Sequence, residues 1–340
     1  MTIRPMLSET LLIEKIRRAI PSRPGRGLLL GIGDDAAVIH GSRQGKSTRT
    51  KQTDWVLSSD SFQESRHFLI NRHPPQSVGY KALARAISDM AAMGAVPRVF
   101  LLNLSLPRNR SGFWLDRFLE GMARAARRFH VVLAGGDVSS FPFVAVSITV
   151  LGEVPKGMAI KRSGAQPGDM LFVTGVLGAA QMGLQTILAT RKRPSALLRS
   201  IFLRPHLFPV PRLGLGQWLA DEGLASAMID ISDGFSTDLC HLCAASQVGA
   251  LVFADHIPCV CLLRKSRRKN HSRLELALHG GDDYELLFTV PLHLSHRVPS
   301  TFHGLRITQV GEIVRRREIR LLDATGRSSK LWPRGWDHFR

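Results

Sequence analysis

The stretch MIDISDGFSTDL, residues 228–239, decides the fold, because an apolar strand pattern ends there in Asp230 and Asp233. Gly234 follows directly, and the residues after it have helical spacing. A strand that turns at glycine into a helix is typical of an α/β fold. Ligands of such folds bind at strand ends, so these two carboxylates mark a candidate site.

Strand and helix patterns alternate along the rest of the chain. Strand-like apolar runs occupy 28–40, 55–62, 99–107, 131–137, 143–154, 169–175, 226–230, 250–255 and 284–290, the fourth ending in a glycine turn. Helical patterns occupy 78–97, 113–129, 236–246 and 273–281, and another begins at Leu177. Residues 153–168 gather Gly, Pro and Lys without an apolar period. We therefore predict an α/β (α+β) protein with two domains, 1–152 and 153–340, each a sheet covered by helices.

The charge balance favours anionic partners. The 340 residues include 46 basic and 27 acidic side chains, a formal net charge of +19. The densest basic runs, 264–269 and 315–320, contain no aromatic residue, whereas single-strand binders interleave stacking rings with positive charge. Residues 1–20 have an amphipathic helix pattern and not that of a signal peptide, and no apolar run is long enough to span a membrane. We expect a cytoplasmic protein with no membrane partner and no specific nucleic-acid target.

The four cysteines raise the question of a zinc site. Cys240 and Cys243 form a C-x-x-C pair, and Cys259 and Cys261 lie in IPCVCLL, which we interpret as a strand with both thiols on one face. This is only half of a zinc signature, and buried cysteine packs as a small hydrophobe. Core thiols are therefore the favoured interpretation, with zinc as the alternative.

Two segments match the letters of nucleotide-binding motifs but lack the following helix that those motifs require. Residues 31–36, GIGDDA, match a dinucleotide fingerprint, but the following residues predict a strand, and Asp34 and Asp35 would repel a pyrophosphate. Residues 41–47, GSRQGKS, resemble a phosphate-binding loop with one residue too few and a strand after it. Neither motif is expected to bind nucleotide in those ways.

A group of aspartates is the strongest chemical signal. Nine of the 27 acidic residues lie at strand ends, at turns or near the end of a helix: Asp34, Asp35, Asp60, Asp89, Asp137, Asp230, Asp233, Asp282 and Asp283. Each alone fits a helix cap or an Asx turn, the interpretation kept for Asp238. Converging carboxylates repel unless cations neutralise them, and oxygen ligands select Mg²⁺, Mn²⁺ or Ca²⁺. Because Mg²⁺ usually bridges carboxylates to substrate phosphates, we predict a nucleoside triphosphate as ligand.

Nine motifs occur in the order found in thiamine-monophosphate kinases, and the match runs essentially end to end. They are GIGDDAAVI, SSDSFQESRHF, SDMAAMGAVP, AGGD, TGVLGAAQMGL, LRPHLFPVPR, MIDISDG, GGDDYELLF and PRGWDHF. The sequence resembles that family, which belongs to the superfamily of aminoimidazole ribonucleotide synthetase. The resemblance implies an N-terminal domain that binds ATP and Mg²⁺ and pairs across a homodimer, and a C-terminal α/β domain that completes the active site.

The resemblance also implies roles for individual residues. Ligands of several Mg²⁺ ions would be Asp35, Ser59, Asp60, Asp89, Asp137, Asp230 and Asp233. ATP contacts would come from Gly136, Asp137, Arg162 and Ser232, and substrate contacts from His67, Asp282 and Trp336. In two places the chain departs from the family pattern: Asp282 replaces the more usual glutamate, and Ser58 and Ser59 stand where threonines are usual.

The implied reaction is direct in-line transfer of the ATP γ-phosphoryl group to thiamine monophosphate, the last step of thiamine diphosphate biosynthesis. The acceptor is a phosphate monoester with a second pKa near 6, so no general base and no covalent intermediate are expected. Selenophosphate synthetase needs a Cys or Sec near its N-terminus, whereas the first cysteine here is Cys240. The hydrogenase-maturation relative ends in cysteine, unlike the terminal WDHFR. Aminoimidazole ribonucleotide synthetase, and a basic nucleic-acid-binding protein with a degenerate kinase fold, stay as alternatives.

Overall fold

The computed structural model describes residues 11, 13–14, 27–41, 52–190, 197–198, 200–260 and 273–337. The helix predicted at 1–20 falls largely outside these residues, and the loop at 42–51, the basic run at 264–269 and Cys261 fall outside them entirely. Within the described part, two sheets are each covered by helices, as the alternating pattern predicted. No helix there is long and apolar enough to cross a membrane.

The first half of the chain forms a six-stranded sheet in the order β1-β2-β3-β6-β4-β5. Its strands are β1 Leu28–Leu30, β2 Ala37–His40, β3 Thr53–Gln63, β4 Val96–Leu106, β5 Val132–Ser140 and β6 Ala145–Pro155. Neighbours pair antiparallel except β4 and β5, which are parallel. Buried and more exposed residues alternate along β3 and β6, so one face of each meets the core.

Two long helices cover this sheet, α1 Pro75–Ala92 and α2 Phe113–Phe129, with a 3₁₀ turn at Arg108–Arg110. The helices approach closely at two glycines. A Cβ atom on Gly79 would lie 1.9 Å from the Phe118 carbonyl oxygen, and one on Gly121 would lie 1.8 Å from the Gln76 carbonyl oxygen. The close approach buries nearly all of α1, which places its polar side chains inside the protein.

The second half forms an eight-stranded sheet in the order β14-β13-β9-β12-β7-β10-β8, with β11 paired to β12. Its strands are β7 Met170–Thr174, β8 Ala227–Ile231, β9 Gly249–Phe253, β10 Glu285–Val290, β11 Thr301–Phe302, β12 Leu305–Val314, β13 Ile319–Leu322 and β14 Ser328–Lys330. Strands β7, β8 and β10 are buried throughout, which is why they read as continuous apolar runs in the sequence.

Among the described residues, five helices accompany the second sheet: α3 Ala179–Ala189, α4 Arg204–Leu207, α5 Leu213–Asp221, α6 Phe235–Ser246 and α7 Arg273–His279. Short 3₁₀ helices lie at Ile201–Leu203, Ala254–His256 and Leu292–Arg297. One apolar cluster joins Ala91 and Ala92 of α1 to residues of β7, α5 and β10. This contact brings α1 against the second sheet.

Three expectations about individual elements were wrong. The run 28–40 is two antiparallel strands with a turn between them, not one strand. The run 131–137 does not stop at its glycines, because β5 continues to Ser140 while pairing with β4. The segment IPCVCLL begins with a single bridge at Cys259 instead of a strand. The predicted boundary at 153 falls inside β6, and 156–169 connect the two sheets.

The cysteines that the structure describes pack in the apolar core of the second sheet. Cys243 is buried, and Cys240 and Cys259 lie against the same apolar cluster. Burial raises the pKa of the Cys243 thiol to about 12, the direction expected of a small apolar side chain and not of a metal ligand.

Candidate active site

Three carboxylates from distant parts of the sequence converge where α1 meets the second sheet. Asp35 precedes β2, Asp89 lies near the end of α1, and Asp230 lies in β8. One oxygen of each lies within 4.8 Å of the others, which is the spacing of a shared cation site. We call these three residues the carboxylate cluster.

The electrostatics of the carboxylate cluster fit a divalent cation. Burial, followed by the charges of Asp230 and Asp60, raises the pKa of Asp89 well above its usual value. Burial and the charge of Asp35 raise the pKa of Asp230 to about 7. Asp35 Oδ2 is buried without a hydrogen-bond partner. Hard carboxylate oxygens in this state match Mg²⁺ or Ca²⁺, whose charge would stabilise all three as anions.

Arg162 supplies positive charge beside the carboxylate cluster. Its Nη2 donates to Asp35 Oδ1 at 2.7 Å, and its backbone N–H donates to both carboxylate oxygens of Asp34 at 3.1 Å. Burial and the neighbouring Asp35 raise the pKa of Asp34 to about 6. The segment that connects the two sheets thus places a guanidinium where an anionic ligand would meet the metal site.

The two serines at 58 and 59 lie on opposite faces of β3. The Ser58 hydroxyl donates to Asp89 Oδ2, whereas the exposed Ser59 hydroxyl hydrogen-bonds Thr149 Oγ1 at 3.0 Å. Asp60 shares the Ser58 face, where Arg85 binds both of its oxygens at 3.0 and 3.2 Å. The structure therefore brings Ser58 to the carboxylate cluster, not the side chain of Ser59.

Gly136 and Asp137 lie elsewhere, on the exposed strand β5. Asp137 is opposite Asn103 of β4 and is not part of the carboxylate cluster. A Cβ atom on Gly136, which has a φ of 149°, would lie 1.8 Å from the Leu102 carbonyl oxygen. Glycine is thus required for the pairing of β4 and β5, independently of any ligand.

A pocket of about 460 Å³ lies beside the β8–α6 turn. Five of the residues predicted from the family resemblance line it: His67, Ser232, Asp233, Asp282 and Trp336. Leu184 and Leu188 of α3 form an apolar wall. An aromatic ligand with charged groups fits such a mixture of apolar and polar lining.

The β8–α6 turn is held from within by Asp238. Its Oδ2 accepts the backbone N–H groups of Asp233 at 3.1 Å and Gly234 at 2.9 Å, which confirms the capping role predicted for this residue. The Asp238 carboxylate therefore occupies these two N–H groups. The backbone N–H of Trp336 donates to the Asp233 carbonyl oxygen at 2.9 Å and so ties the C-terminal segment to the turn.

Aromatic and basic groups line the pocket wall near Trp336. The Arg66 guanidinium lies 5.5 Å from the centre of the Trp336 ring, a cation–π distance. His67 Nδ1 accepts the Gln63 backbone N–H at 2.9 Å, and the His67 ring lies 5.4 Å from that of Phe62. The local contacts thus orient His67 in the pocket wall.

Asp282 is held at both oxygens. Lys81 Nζ donates to Oδ2 at 2.7 Å, and the Tyr284 hydroxyl donates to Oδ1 at 2.8 Å. Although burial raises its pKa, the charges of Lys81 and Arg85 lower the pKa of Asp282 well below its usual range. Asp282 and Tyr284 have φ values of 70° and 51°, an uncommon backbone for residues other than glycine and typical of functional segments.

Sequence reasoning missed Ser58, Lys81 and Arg85. A signal for two of them was present, since Lys81, Arg85 and Asp89 are spaced every four residues in an otherwise apolar helix. Such spacing places the three charges on one face of α1, where they meet Asp282, Asp60 and the carboxylate cluster in turn.

Comparison with known proteins agrees with this geometry. The family model of the AIR synthase related protein N-terminal domain matches residues 33–154. The family model of the AIR synthase related protein C-terminal domain matches residues 166–323. The thiamine-monophosphate kinase of Bacillus subtilis (strain 168) is 33% identical over 92% of this chain and 94% of its own length. That of Escherichia coli (strain K12) is 35% identical over 91% and 92%.

A solved structure extends the comparison to three dimensions. The structure of AaThiL complexed with AMPPCP and TMP has a TM-score of 0.80 at 28% sequence identity, covering 99% of this chain and 100% of that chain. The motif order, the two-sheet fold and these matches lead to one conclusion: the chain belongs to the thiamine-monophosphate kinase family of AIR synthase related proteins.

Proposed function

We propose that this protein transfers the γ-phosphoryl group of ATP to thiamine monophosphate and releases thiamine diphosphate. The observation that carries the proposal is the position of the carboxylate cluster beside a pocket that holds His67, Asp282 and Trp336. The relatives that bear the name thiamine-monophosphate kinase, and the AaThiL complex with AMPPCP and TMP, support the same reaction.

The carboxylate cluster would hold Mg²⁺ through Asp35, Asp89 and Asp230. Magnesium supplies charge neutralisation between two polyanions when it is bound. We further propose Asp60, Asp137 and Asp233, together with Ser59, as ligands of additional ions. In this assignment Asp60 gives up part of its contact with Arg85, and Asp137 and Ser59 serve ions outside the cluster.

The nucleotide phosphates are proposed to contact Arg162 and Ser232, with Gly136 and Asp137 on the β5 side. Arg162 already lies against Asp35, so its guanidinium is oriented toward the place where phosphate and metal meet. Positive charge aimed at the transferring group stabilises its developing charge without needing to reorganise.

The acceptor needs orientation and not proton removal. Its phosphate is anionic at pH 7, so the reaction requires neither a general base nor a covalent enzyme intermediate. We assign the Trp336 ring and the Leu184–Leu188 wall to the aromatic portion of the substrate, and the Asp282 carboxylate to its cationic portion. His67, which also lines the pocket, is proposed to contact the substrate as well.

A homodimer with the predicted division 1–152 and 153–340 completes the proposal. Strand β5 is exposed along its whole length and carries Val132, Leu133 and Val138, which are 64%, 52% and 68% exposed. An apolar unpaired edge of this length is typical of an interface. Pairing of two copies there would bring Gly136 and Asp137 to the interface, and we place the reaction in the cytoplasm.

The test compares acceptors side by side with ATP and Mg²⁺: thiamine monophosphate, free thiamine and aminoimidazole ribonucleotide precursors. We expect turnover only with thiamine monophosphate, with thiamine diphosphate and ADP formed in equal amounts. Asp89→Asn should lower kcat by about 10²-fold or more, because it removes a charged ligand and no core packing. Turnover of free thiamine but not of its phosphate would reject the substrate assignment.

The nucleic-acid-binding alternative predicts a different result. It requires salt-dependent binding of generic DNA together with no nucleotide turnover by the same preparation. Part of the basic run at 315–320 is paired within the protein, since Arg316 and Arg320 both contact Glu318. This pairing favours the kinase.

A further inference from the structure

We propose that Lys81, His206 and His73 form a buried support that positions Asp282 in the pocket and thereby sets the affinity for the cationic portion of the acceptor. The inference rests on the proposed function, because it assigns Asp282 to substrate contact. Lys81 and His206 are positioning residues in this proposal, since neither lines the pocket.

The first step of the argument is the Lys81–Asp282 ion pair. The Lys81 side chain is 3% exposed, and its Nζ lies 2.7 Å from Asp282 Oδ2. The Tyr284 hydroxyl holds the other oxygen. With both oxygens engaged, the carboxylate has one orientation, and its remaining exposed edge, 26% of the side chain, faces the pocket.

The second step is the arrangement of the two histidines behind Lys81. His206 is 1% exposed, and its Nδ1 lies 3.4 Å from Lys81 Nζ. Because an ammonium group only donates, Nδ1 must accept, which places the ring proton of neutral His206 on Nε2. That proton is donated to His73 Nε2 at 3.0 Å. His206 therefore contacts Lys81 Nζ next to Asp282, since its Nδ1 also lies 3.7 Å from Asp282 Oδ2. His206 belongs to the motif LRPHLFPVPR, for which no role has been assigned above.

The third step is the charge balance around Asp282. The titratable and charged groups around this carboxylate are Lys81 and Arg85 of α1, His206 of α4, His73, and the adjoining Asp283 and Tyr284. Burial and Lys81 lower the pKa of His206 well below its usual value, so His206 is neutral and Lys81 supplies the nearest positive charge. Without Lys81, burial would shift the carboxyl toward its neutral form, which attracts a cation less strongly.

The experiment begins with Lys81→Met, which keeps the apolar stem and removes the charge. We expect the KM for thiamine monophosphate to rise about 10- to 100-fold, the loss typical of a charged hydrogen bond, with the KM for ATP within about twofold. We also expect the ratio of the variant's KM to the wild-type KM to fall as the pH rises from 5 to 8, because Asp282 ionises in the variant over this range while the titration of the acceptor phosphate affects both enzymes alike. A merely structural role would not produce this pH profile.

Two variants of His206 test the inference if Lys81→Met folds poorly. His206→Asn preserves an acceptor near the Nδ1 position, whereas His206→Leu removes it. The leucine variant should raise the KM for thiamine monophosphate at least fivefold more than the asparagine variant. Arg212→Met is the matched control, because it breaks a comparably buried ion pair with Glu285 in the same sheet. It should lower the melting temperature and leave that KM unchanged.

The outcomes separate the inference from the function it rests on. An active wild type whose Lys81→Met variant keeps the wild-type KM for thiamine monophosphate at every pH from 5 to 8 overturns the inference alone. An equal rise in that KM in Arg212→Met also overturns it, because the effect would then reflect general destabilisation. A wild type that does not phosphorylate thiamine monophosphate overturns the proposed function together with the inference.

Discussion

At Asp89 and Asp230, burial and neighbouring carboxylates raise the pKa, whereas at Asp282 nearby cations outweigh burial and lower it. Aspartate side chains therefore occur in two electrostatic states within one site, with a raised pKa at Asp89 and Asp230 and a lowered pKa at Asp282. Carboxylates with a raised pKa suit a place that a divalent cation fills, and one already balanced by lysine suits direct contact with substrate.

At this scale, we predict that Asp230 stabilises the metal-free protein at low pH and that this contribution is lost as the pH rises from about 4 to about 8. Burial and Asp35 raise the native pKa of Asp230 from 3.8 to about 7, so the native state keeps a proton that the unfolded state has released. The stabilisation is complete below the unfolded pKa and is lost as the pH rises through about 7, by up to about 1.4 kcal/mol per pH unit.

Melting temperatures measured in chelator at pH 5, 6, 7 and 8 check this sign. Added Mg²⁺ should raise the melting temperature most at pH 8, because binding to the native state alone stabilises it. Asp230→Asn should flatten the pH dependence in chelator and reduce the effect of Mg²⁺. A difference in melting temperature between the wild type and Asp230→Asn, taken as wild type minus variant, that rises with pH in chelator would contradict the charge balance assigned to the carboxylate cluster.

At the scale of elements, α1 serves both the core and the site. Its apolar face covers the first sheet, and its charges at every fourth position face the pocket and the carboxylate cluster. To fill both roles, α1 must be held at one rotation about its own axis and at one distance from its neighbours. The close approach of α2 at Gly79 and Gly121 supplies that constraint.

We therefore predict that Gly121→Ala destabilises the protein by about 2 kcal/mol or more, since the new Cβ would overlap the Gln76 carbonyl oxygen. Urea unfolding followed by circular dichroism measures the change. Gly214→Ala in α5 is the matched control, because its nearest contact would be Phe302 Cε1 at 4.0 Å. The control should be neutral or stabilising, as alanine favours helix. Equal losses from the two variants would count against the close-approach argument.

At the scale of the whole molecule, the two sheets share one site. Asp35 and Asp89 come from the first half and Asp230 from the second, while β5 leaves an apolar edge on the far side of the first sheet. Charge, by contrast, is spread over the molecule, and nothing in the described structure explains why the net value of +19 is so high.

We predict that the wild type sediments as a dimer of 37.6 kDa chains and that Val138→Lys shifts it toward monomer. A lysine on an edge strand opposes pairing with a second copy. Analytical ultracentrifugation measures the mass, and Leu292→Lys, at a side chain that is 64% exposed in a 3₁₀ helix, is the control. A monomeric wild type, or a Val138→Lys variant that stays dimeric, would exclude β5 as the interface.

The sequence by itself determined the alternation of strands and helices, the motif order and the residues at the strand ends. Those features depend on apolar periodicity and on the local chemistry of glycine and aspartate, which act over a few neighbouring residues. Asp230 and the capping role of Asp238 could be read in this way.

Only the tertiary structure decided which carboxylates meet and which cation each one contacts. Asp35, Asp89 and Asp230 are far apart in the chain, and Lys81 lies 201 positions from Asp282. The sequence also could not show whether Ser58 or Ser59 reaches the carboxylate cluster. Strand alternation places the two side chains on opposite faces of β3 but does not say which face meets the site. Contacts of this kind arise from the packing of α1 between two sheets, a long-range arrangement that no local pattern encodes.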